Sequence, residues 1–300
     1  MRSARWIAVD WGTSNLRVWI MEGTHTVAQA QSDKGMGALS RDGFETALLA
    51  LIDPHLSDQK LPVVCCGMVG SRQGWAEAAY LTVPCAPPGA QAVTHVAAID
   101  PRIDVAILPG LKQARPPDVM RGEETQIAGF LKAQPGFDGI LCLPGTHTKW
   151  VHISAGEIIS FKTFMTGEIF ALLSENSVLR HSLGDDGFDN TAFAAAVEDA
   201  MSRPQTLAAD LFGLRAGSLI AGLGAATVRA RLSGLLIGAE LAAARPYWLG
   251  QNVAIIGANS LAELYRDGLA AQGVTASLHD TTEMTLAGLT AAFQALAETL

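Results

Sequence analysis

The sequence predicts an α/β protein built twice over on one plan: three antiparallel strands, then alternating helix and strand. Two observations carry this. The apolar residues of Arg5–Val9, and then Leu16, Val18 and Ile20, alternate as strand residues do, and the Gly-containing turn Asp10-Trp11-Gly12-Thr13-Ser14-Asn15 joins them. The same order returns past the midpoint, where Gly139–Leu143 and Lys149–Ile153 flank the turn Leu143-Pro144-Gly145-Thr146-His147-Thr148-Lys149. A duplicated plan of this kind is the ribonuclease H-like arrangement. Pro135-Gly136 marks the boundary, so residues 1–136 form the expected first domain and 137–300 the second.

The remaining elements follow in order. Glu22-Gly23-Thr24 turns the chain, and Thr26–Gln31 returns as a third strand. Asp42 and Glu45 have the spacing of a capping box, ahead of a helix with Phe44, Leu48 and Leu51 on one face. Val63–Cys66 is a strand preceded by Pro62, where a missing N–H is tolerated. Val105–Leu108 reads as a strand and Gly122–Leu131 as a helix. In the second half Ser154-Ala155-Gly156 turns into a strand over Glu157–Thr163. A long helix near Leu219–Ala243 follows, then a strand at Asn252–Ile256 and a helix at Leu261–Ala271. A strand at Val274–Leu278 and a closing helix at Thr285–Leu296 complete the chain.

Bulk properties exclude several function classes. Of 300 residues, 49% are hydrophobic and 17% charged, with a mean hydropathy of +0.24. No apolar run approaches the roughly 18 residues of a membrane span, and Asp10 interrupts the apolar stretch behind the basic N-terminus, so neither membrane nor secretory leader is expected. A net charge of −8 without a Lys/Arg cluster argues against a nucleic-acid partner. Cys65, Cys66, Cys85 and Cys142 lack disulfide or zinc spacing, which fits small buried apolar residues in a reducing cytoplasm. The expected partner is a small molecule, and a homo-oligomer is compatible with the sequence.

The two turns point to phosphate. Glycine lets the backbone approach an anion, and successive N–H groups and hydroxyls then form a concave anion site. A triphosphate held in a cleft between two domains needs one such loop from each. Gly12, Thr13, Ser14 and Asn15 supply the first loop; Gly145, Thr146, Thr148 and Lys149 supply the second. Asp10 does not itself favour phosphate, but it suits Mg²⁺, which takes few carboxylates and keeps waters. The alternative is a pair of hairpin turns that happen to contain threonine. A third segment, Ile255-Ile256-Gly257-Ala258-Asn259-Ser260, ends a strand in small residues. Gly257 and Ala258 suit contact with adenine or ribose, and Ser260 a helix cap; an ordinary strand-to-helix turn is the alternative.

Transfer of a phosphoryl group to an alcohol needs an acceptor for the hydroxyl proton. Glu123 and Glu124 open a predicted helix, so one of them can face a cleft; Asp10 is the rival base, and acids that merely complement the helix dipole are the alternative. In Gly67–Trp75 the polar Ser71, Arg72 and Gln73 suit an acidic sugar, with Arg72 able to grip a carboxylate by a two-pronged bond; a surface loop anchored by Trp75 is the alternative. Thr166 and Glu168 either reach a ligand or cap the next helix. His147 lies in the second turn, and no histidine has metal-ligand spacing.

Five blocks, Ile7–Arg17, Gly67–Trp75, Arg121–Gln126, Leu143–Trp150 and Phe164–Leu173, resemble the 2-dehydro-3-deoxygalactonokinase family in sequence and order. The resemblance implies the actin-like ATPase, or sugar kinase, fold. It also implies ATP-dependent phosphorylation of 2-dehydro-3-deoxygalactonate at its 6-hydroxyl, in bacterial galactonate breakdown, with ATP and Mg²⁺ as cofactors. The Gly-Glu-Glu block also resembles the acidic block of exopolyphosphatases, which favours Glu123 or Glu124 as a catalytic acid; Glu124, or failing that Glu123, is the expected proton acceptor. The competing readings are a kinase for a related 2-dehydro-3-deoxy sugar acid, and a phosphatase or nucleotide switch on the same fold.

Overall fold

In the computed structural model, which describes residues 5–184, 187–257 and 259–298, the chain divides into two units that each draw on separated segments. Unit one is Met1–Phe137, Ser154–Ser160 and Thr281–Leu300; unit two is Asp138–Ile153 and Phe161–Asp280.

Unit one begins with strands β1 (Arg5–Trp11), β2 (Leu16–Glu22) and β3 (His25–Ser32), then helix α1 (Gly43–Ile52) and strand β4 (Leu61–Gly67). Short strands follow: β5 (Tyr80–Thr82), β6 (Thr94–Val96), β7 (Ile103–Ile107), β8 (Gly110–Gln113) and β9 (Asp118–Met120), before helix α2 (Glu123–Ala133). The main sheet has the order β3-β2-β1-β4-β7-β6, with β1 antiparallel to β2 and parallel to β4. Strand alternation sorts the side chains: Ile7, Val9 and Trp11 join Phe44 and Leu48 of α1 in one core, whereas Trp6 and Ala8 point to the other face. Cys65 and Cys66 are split the same way, and all four cysteines are free thiols. The small sheet β5-β8-β9 was not expected, because strands of three or four residues are too short to show a period. The capping box is also corrected. Asp42 makes no side-chain cap bond, and the Glu45 carboxylate instead accepts the backbone N–H groups of Ile99 (3.0 Å) and Asp100 (2.7 Å).

The second sheet repeats the plan and lies in unit two apart from the segment Ser154–Ser160. Strands β10 (Gly139–Leu143), β11 (Thr148–Ser154) and β12 (Glu157–Phe164) precede helices α3 (Thr166–Asn176), α4 (Asn190–Ser202), α5 (Leu207–Ile220), α6 (Ala225–Ala243) and α7 (Arg245–Trp248). Strand β13 (Val253–Gly257), helix α8 (Asn259–Ala270) and strand β14 (Ala276–Asp280) follow. The sheet order β12-β11-β10-β13-β14 matches β3-β2-β1-β4-β7 strand for strand, with the first pair antiparallel and the next parallel. The single long helix expected near Leu219–Ala243 is instead α5 and α6. They part at Ala221–Gly224, where Gly222 takes a left-handed φ of 70°. Ser260 lies inside α8 rather than ahead of it, and Ala258 lies outside the described residues.

The closing helix α9 (Thr281–Ala297) belongs to unit one, so the expected 137–300 domain is not one continuous unit. Leu289, Ala292 and Phe293 cover the Trp6 and Ala8 face of the sheet, with Phe293 stacked on Trp6 at 4.4 Å between ring centroids. Helices α9 and α2 meet through Gly288 and Gly129. A methyl group at Gly288 would stand 1.9 Å from the Thr125 carbonyl oxygen, and one at Gly129 would stand 2.0 Å from that of Met284. This contact fixes the helix that begins with Glu123 and Glu124. Gly288→Ala is expected to cost about 1–3 kcal/mol through overpacking, read as a lower midpoint in chemical denaturation. An unchanged midpoint would mean that the helix pair yields freely.

Candidate active site

The first turn joins β1 to β2 and exposes Thr13, Ser14 and Asn15. Its own N–H at Gly12 bonds back to the Asn15 carbonyl at 2.8 Å. The segment after β3 lies against its rear: Met36 N–H donates to Gly12 O (3.0 Å) and Gly37 N–H to Thr13 O (2.9 Å), while Trp11 Nε1 donates to Lys34 O. A Cβ on Gly35 would come within 2.3 Å of the Thr13 carbonyl oxygen. Sequence reading missed Gly35, although the pair Gly35 and Gly37 was a visible signal.

The second turn joins β10 to β11 and exposes Thr146 and His147, with Gly145 half-buried. The start of α3 supports it. A Cβ on Gly167 would meet Gly145 O at 2.2 Å, Glu168 N–H donates to Thr146 O (2.9 Å), and the Glu168 carboxylate meets His147 Nε2 at 2.6 Å. Thr148 and Lys149 differ from their turn neighbours: they belong to β11 and are 0% and 4% exposed. The Thr148 hydroxyl turns inward, 3.0 Å from the Tyr265 hydroxyl. Thr166 donates its hydroxyl proton to buried Glu240, which also accepts from Trp150 Nε1 and Tyr265 OH, both at 2.8 Å. Burial pushes the Glu240 carboxyl up, and these hydrogen bonds oppose the shift.

A cavity of about 720 Å³ opens in unit two beside Gly145, Thr146 and Thr166. Phe188 and Leu264 give it apolar walls, and Arg229 and Asn190 give it polar ones. Arg229 also stands over the Phe170 ring at 5.6 Å. These residues carried no signal in the sequence, because they sit on α4, α6, α8 and a loop with no shared motif. Gly257 is buried, and a Cβ there would stand 2.8 Å from Ala262 Cβ. Its smallness serves helix packing.

The acids gather in unit one. Asp10 is 7% exposed; its Oδ2 pairs with Arg17 Nη2 at 2.7 Å, as the β1–β2 register dictates. Burial pushes its carboxyl up, Arg17 and the Cys66 thiol pull it down, and the charge of Glu123 pushes it up again. Glu124 is wholly buried, and both its oxygens accept the Gly122 N–H, at 2.8 and 2.7 Å. Burial, aided by the neighbouring Glu123 charge, raises its pKa to about 7. Glu123 is half-buried and accepts the Arg121 N–H at 3.1 Å. Gly67, at the end of β4 with φ 89°, brings the strand close to Asp10: a Cβ there would lie 3.4 Å from Asp10 Oδ1. Among the described residues no group of three or more His, Cys, Asp or Glu side chains gathers as a metal site.

In the loop Gly67–Trp75, Trp75 packs against Trp11 and Phe44 and anchors the loop. Arg72 is exposed (82%) beside Glu77, Gln73 is exposed, and Ser71 is buried. Arg121 is the basic residue that the structure buries here. Its Nη2 donates to Ala78 O (2.8 Å) and its guanidinium lies 4.2 Å from the Tyr80 ring centroid. Arg121 Nε and Nη1 and the Ser71 hydroxyl are buried with no hydrogen-bond partner.

Comparison with known proteins identifies the family. A family model described as 2-keto-3-deoxy-galactonokinase matches residues 10–292. A Rhizobium meliloti protein named probable 2-dehydro-3-deoxygalactonokinase is 41% identical, with 96% of each chain covered. The Escherichia coli 2-dehydro-3-deoxygalactonokinase is 37% identical, over 93% of this chain and 94% of that one. A crystal structure of a Sinorhizobium meliloti protein assigned the same activity superposes with a TM-score of 0.90 at 39% identity, covering 97% of this chain and 99% of that one. Component A of (R)-2-hydroxyglutaryl-CoA dehydratase from Acidaminococcus fermentans shares the fold alone, with a TM-score of 0.53 at 12% identity. The chain belongs to the 2-keto-3-deoxy-galactonokinase family.

Proposed function

We propose that this chain transfers the γ-phosphoryl group of ATP to the 6-hydroxyl of 2-dehydro-3-deoxygalactonate, giving 2-dehydro-3-deoxy-6-phosphogalactonate, in galactonate catabolism. The observation that carries the reading is repetition: the same exposed Gly-Thr turn joins the first two strands of both sheets, in a chain of this family. On this reading each unit is a ribonuclease H-like half of an actin-like ATPase, and each turn is a phosphate-binding turn. Four free thiols fit a cytoplasmic enzyme. No helix among the described residues is long and apolar enough to cross a membrane.

Thr13, Ser14 and Asn15 offer one set of donors to phosphate oxygens, while the Gly12 N–H closes the turn on the Asn15 carbonyl; Gly145 and Thr146 offer the other set. Thr148 and Lys149 act from behind the second turn, since their side chains are enclosed. The nucleoside takes the cavity walled by Phe188 and Leu264 rather than the buried Gly257. Asp10 and Glu123, whose negative charges act on each other, fit Mg²⁺, with Asp10 the residue that would hold it through water. When bound, Mg²⁺ supplies positive charge at the transferring phosphoryl group.

Glu123 takes the proton from the attacking hydroxyl. It stands at the same helix start as Glu124 but is half-buried, whereas Glu124 is fully enclosed and tied to Gly122. Glu124 therefore shapes the helix start and acts through it. The substrate carboxylate goes to Arg121 and Ser71. A buried guanidinium with two unpartnered nitrogens has already lost its hydration and gains most from an incoming anion. Arg72 is already solvated by water and stands at the rim, as do Gln73 and the His147–Glu168 pair.

An ATP-coupled screen of 2-dehydro-3-deoxy sugar acids tests the activity: ATP is consumed only when the sugar acid is added, and the galacto isomer gives the highest kcat/KM. Acid-independent ATP hydrolysis would select the phosphatase reading. In the same assay Glu123→Gln is expected to lower kcat about a thousandfold with KM little changed; normal turnover would remove its role as base. Arg121→Lys should raise KM for the sugar acid about thirtyfold and leave KM for ATP alone, while Arg72→Ala changes either by about threefold at most. The reverse pattern would return the carboxylate to Arg72.

The Glu124 carboxyl holds its proton more tightly in the folded chain, near pH 7, than at its ordinary value of 4.5. Stability from this group is therefore full below about pH 4.5 and is lost as pH rises to about 7, by about 3 kcal/mol. Glu124→Gln should remove that loss. Parallel stability–pH curves for the variant and the parent protein across this window would contradict the assignment.

A further inference from the structure

We propose that Glu240 is a positioning residue for the nucleotide cavity of unit two, acting through the Thr166 hydroxyl. This rests on the reading that the cavity takes the nucleotide. Glu240 lies in the middle of α6 and is 3% exposed. Its carboxylate receives three donors from three other elements: Trp150 of β11 on Oε1, and Tyr265 of α8 and Thr166 of α3 on Oε2. An indole N–H can only donate, so Oε1 must accept. Tyr265 gives its one proton to Glu240, and Thr166 gives its own to the same oxygen. The proton directions at the carboxylate therefore run from Trp150, Tyr265 and Thr166 to Glu240.

The consequence falls on Thr166, which lines the cavity beside Gly145 and Thr146. With its proton committed to Glu240, the hydroxyl oxygen of this lining residue is left as an acceptor only. It therefore suits a donor of the bound nucleotide or its water shell and does not suit an ionised phosphate oxygen. Glu240 never reaches the ligand; it sets the polarity of the group that does. Glutamine at this position keeps the shape. Its carbonyl can accept from Trp150, while its NH₂ faces Thr166 and Tyr265 and reverses both hydroxyls, so the Thr166 proton swings outward.

The test is a double-mutant cycle on ATP affinity, measured by calorimetry on the full chain together with thermal unfolding. Glu240→Gln and Thr166→Val are each expected to weaken ATP binding about tenfold. The double variant should be no weaker than the worse single one, and Thr166→Ser, which keeps the hydroxyl, should restore what Thr166→Val loses. Effects that multiply, to about a hundredfold, would mean that the two side chains act on the nucleotide independently, and that result would overturn the inference. So would wild-type affinity in Glu240→Gln. If Glu240→Gln does not fold, Thr166→Val decides: wild-type affinity there overturns the inference. Absence of ATP binding by the parent protein would sink the nucleotide reading and this inference together, whereas tight parent binding with an unaffected Glu240→Gln sinks the inference alone.

Discussion

Each exposed turn is held from behind by backbone packed against backbone, and the candidate site depends on that contact. Gly35 lies under the first turn and Gly167 under the second, each so close that a single added carbon would stand about one bond length and a half from a carbonyl oxygen. The hydrogen bonds run in one sense. Met36 and Gly37 donate to the carbonyls of Gly12 and Thr13, and Glu168 donates to that of Thr146. The turn carbonyls therefore spend their partial negative charge on the supporting segment. What remains on the exposed side is the electropositive edge of the peptide groups, the surface that an anion requires. The chemistry of the turn is set by residues about twenty positions further along the chain.

A second constraint is buried charge. Glu124, Glu240 and Arg121 have all left water, and each has been treated differently. Glu240 is satisfied by three neutral donors, which can stabilise a carboxylate without a counter-ion. Glu124 is enclosed with a like charge beside it, and its backbone N–H partners offset this only in part, so its proton is held to near neutral pH. Arg121 keeps one backbone acceptor and an aromatic face, with two nitrogens unspent. The group least satisfied by the protein is the one with most to gain from a ligand. This ordering separates a structural carboxylate from a binding guanidinium without reference to any motif.

Much of this was legible in the sequence. β1, β2, β10 and β11 are buried on both faces, and their short apolar runs bounded by Gly-containing turns marked them as strands. The adjacent acids also announced a division of labour, since consecutive helix residues point about 100° apart; which of the two faces inward depends on the packing of α2 against α9. That packing was not legible, because an amphipathic helix such as α9 records that it has a buried face but not which sheet supplies the other half. Thr148 misled because it reads as a turn residue, whereas it is the first residue of β11; Lys149 reads as both turn and strand, and the register pairs it with Leu143 in the ladder. The break at Gly222 was visible as a Gly-Leu-Gly sequence but was overridden by the apolar periodicity on either side. The cavity walls share no local pattern at all, so no sequence window could have gathered them.

The acid side of the site also bears on the form in which a nucleotide is accepted. Asp10 and Glu123 act on each other as like charges, and burial already makes the ionised form of Asp10 costly. A bare triphosphate arriving at the first turn, which follows Asp10 directly, would add several negative charges to that pair. Arg17 offsets one of them, since it is tied to Asp10 at 2.7 Å. On the proposed reading the remaining repulsion is relieved by a divalent cation travelling with the nucleotide, and the proton acceptor then works in a balanced field. On that reading one placement of charge, Asp10 beside Glu123, favours a cation-loaded phosphate at the turn over a bare one.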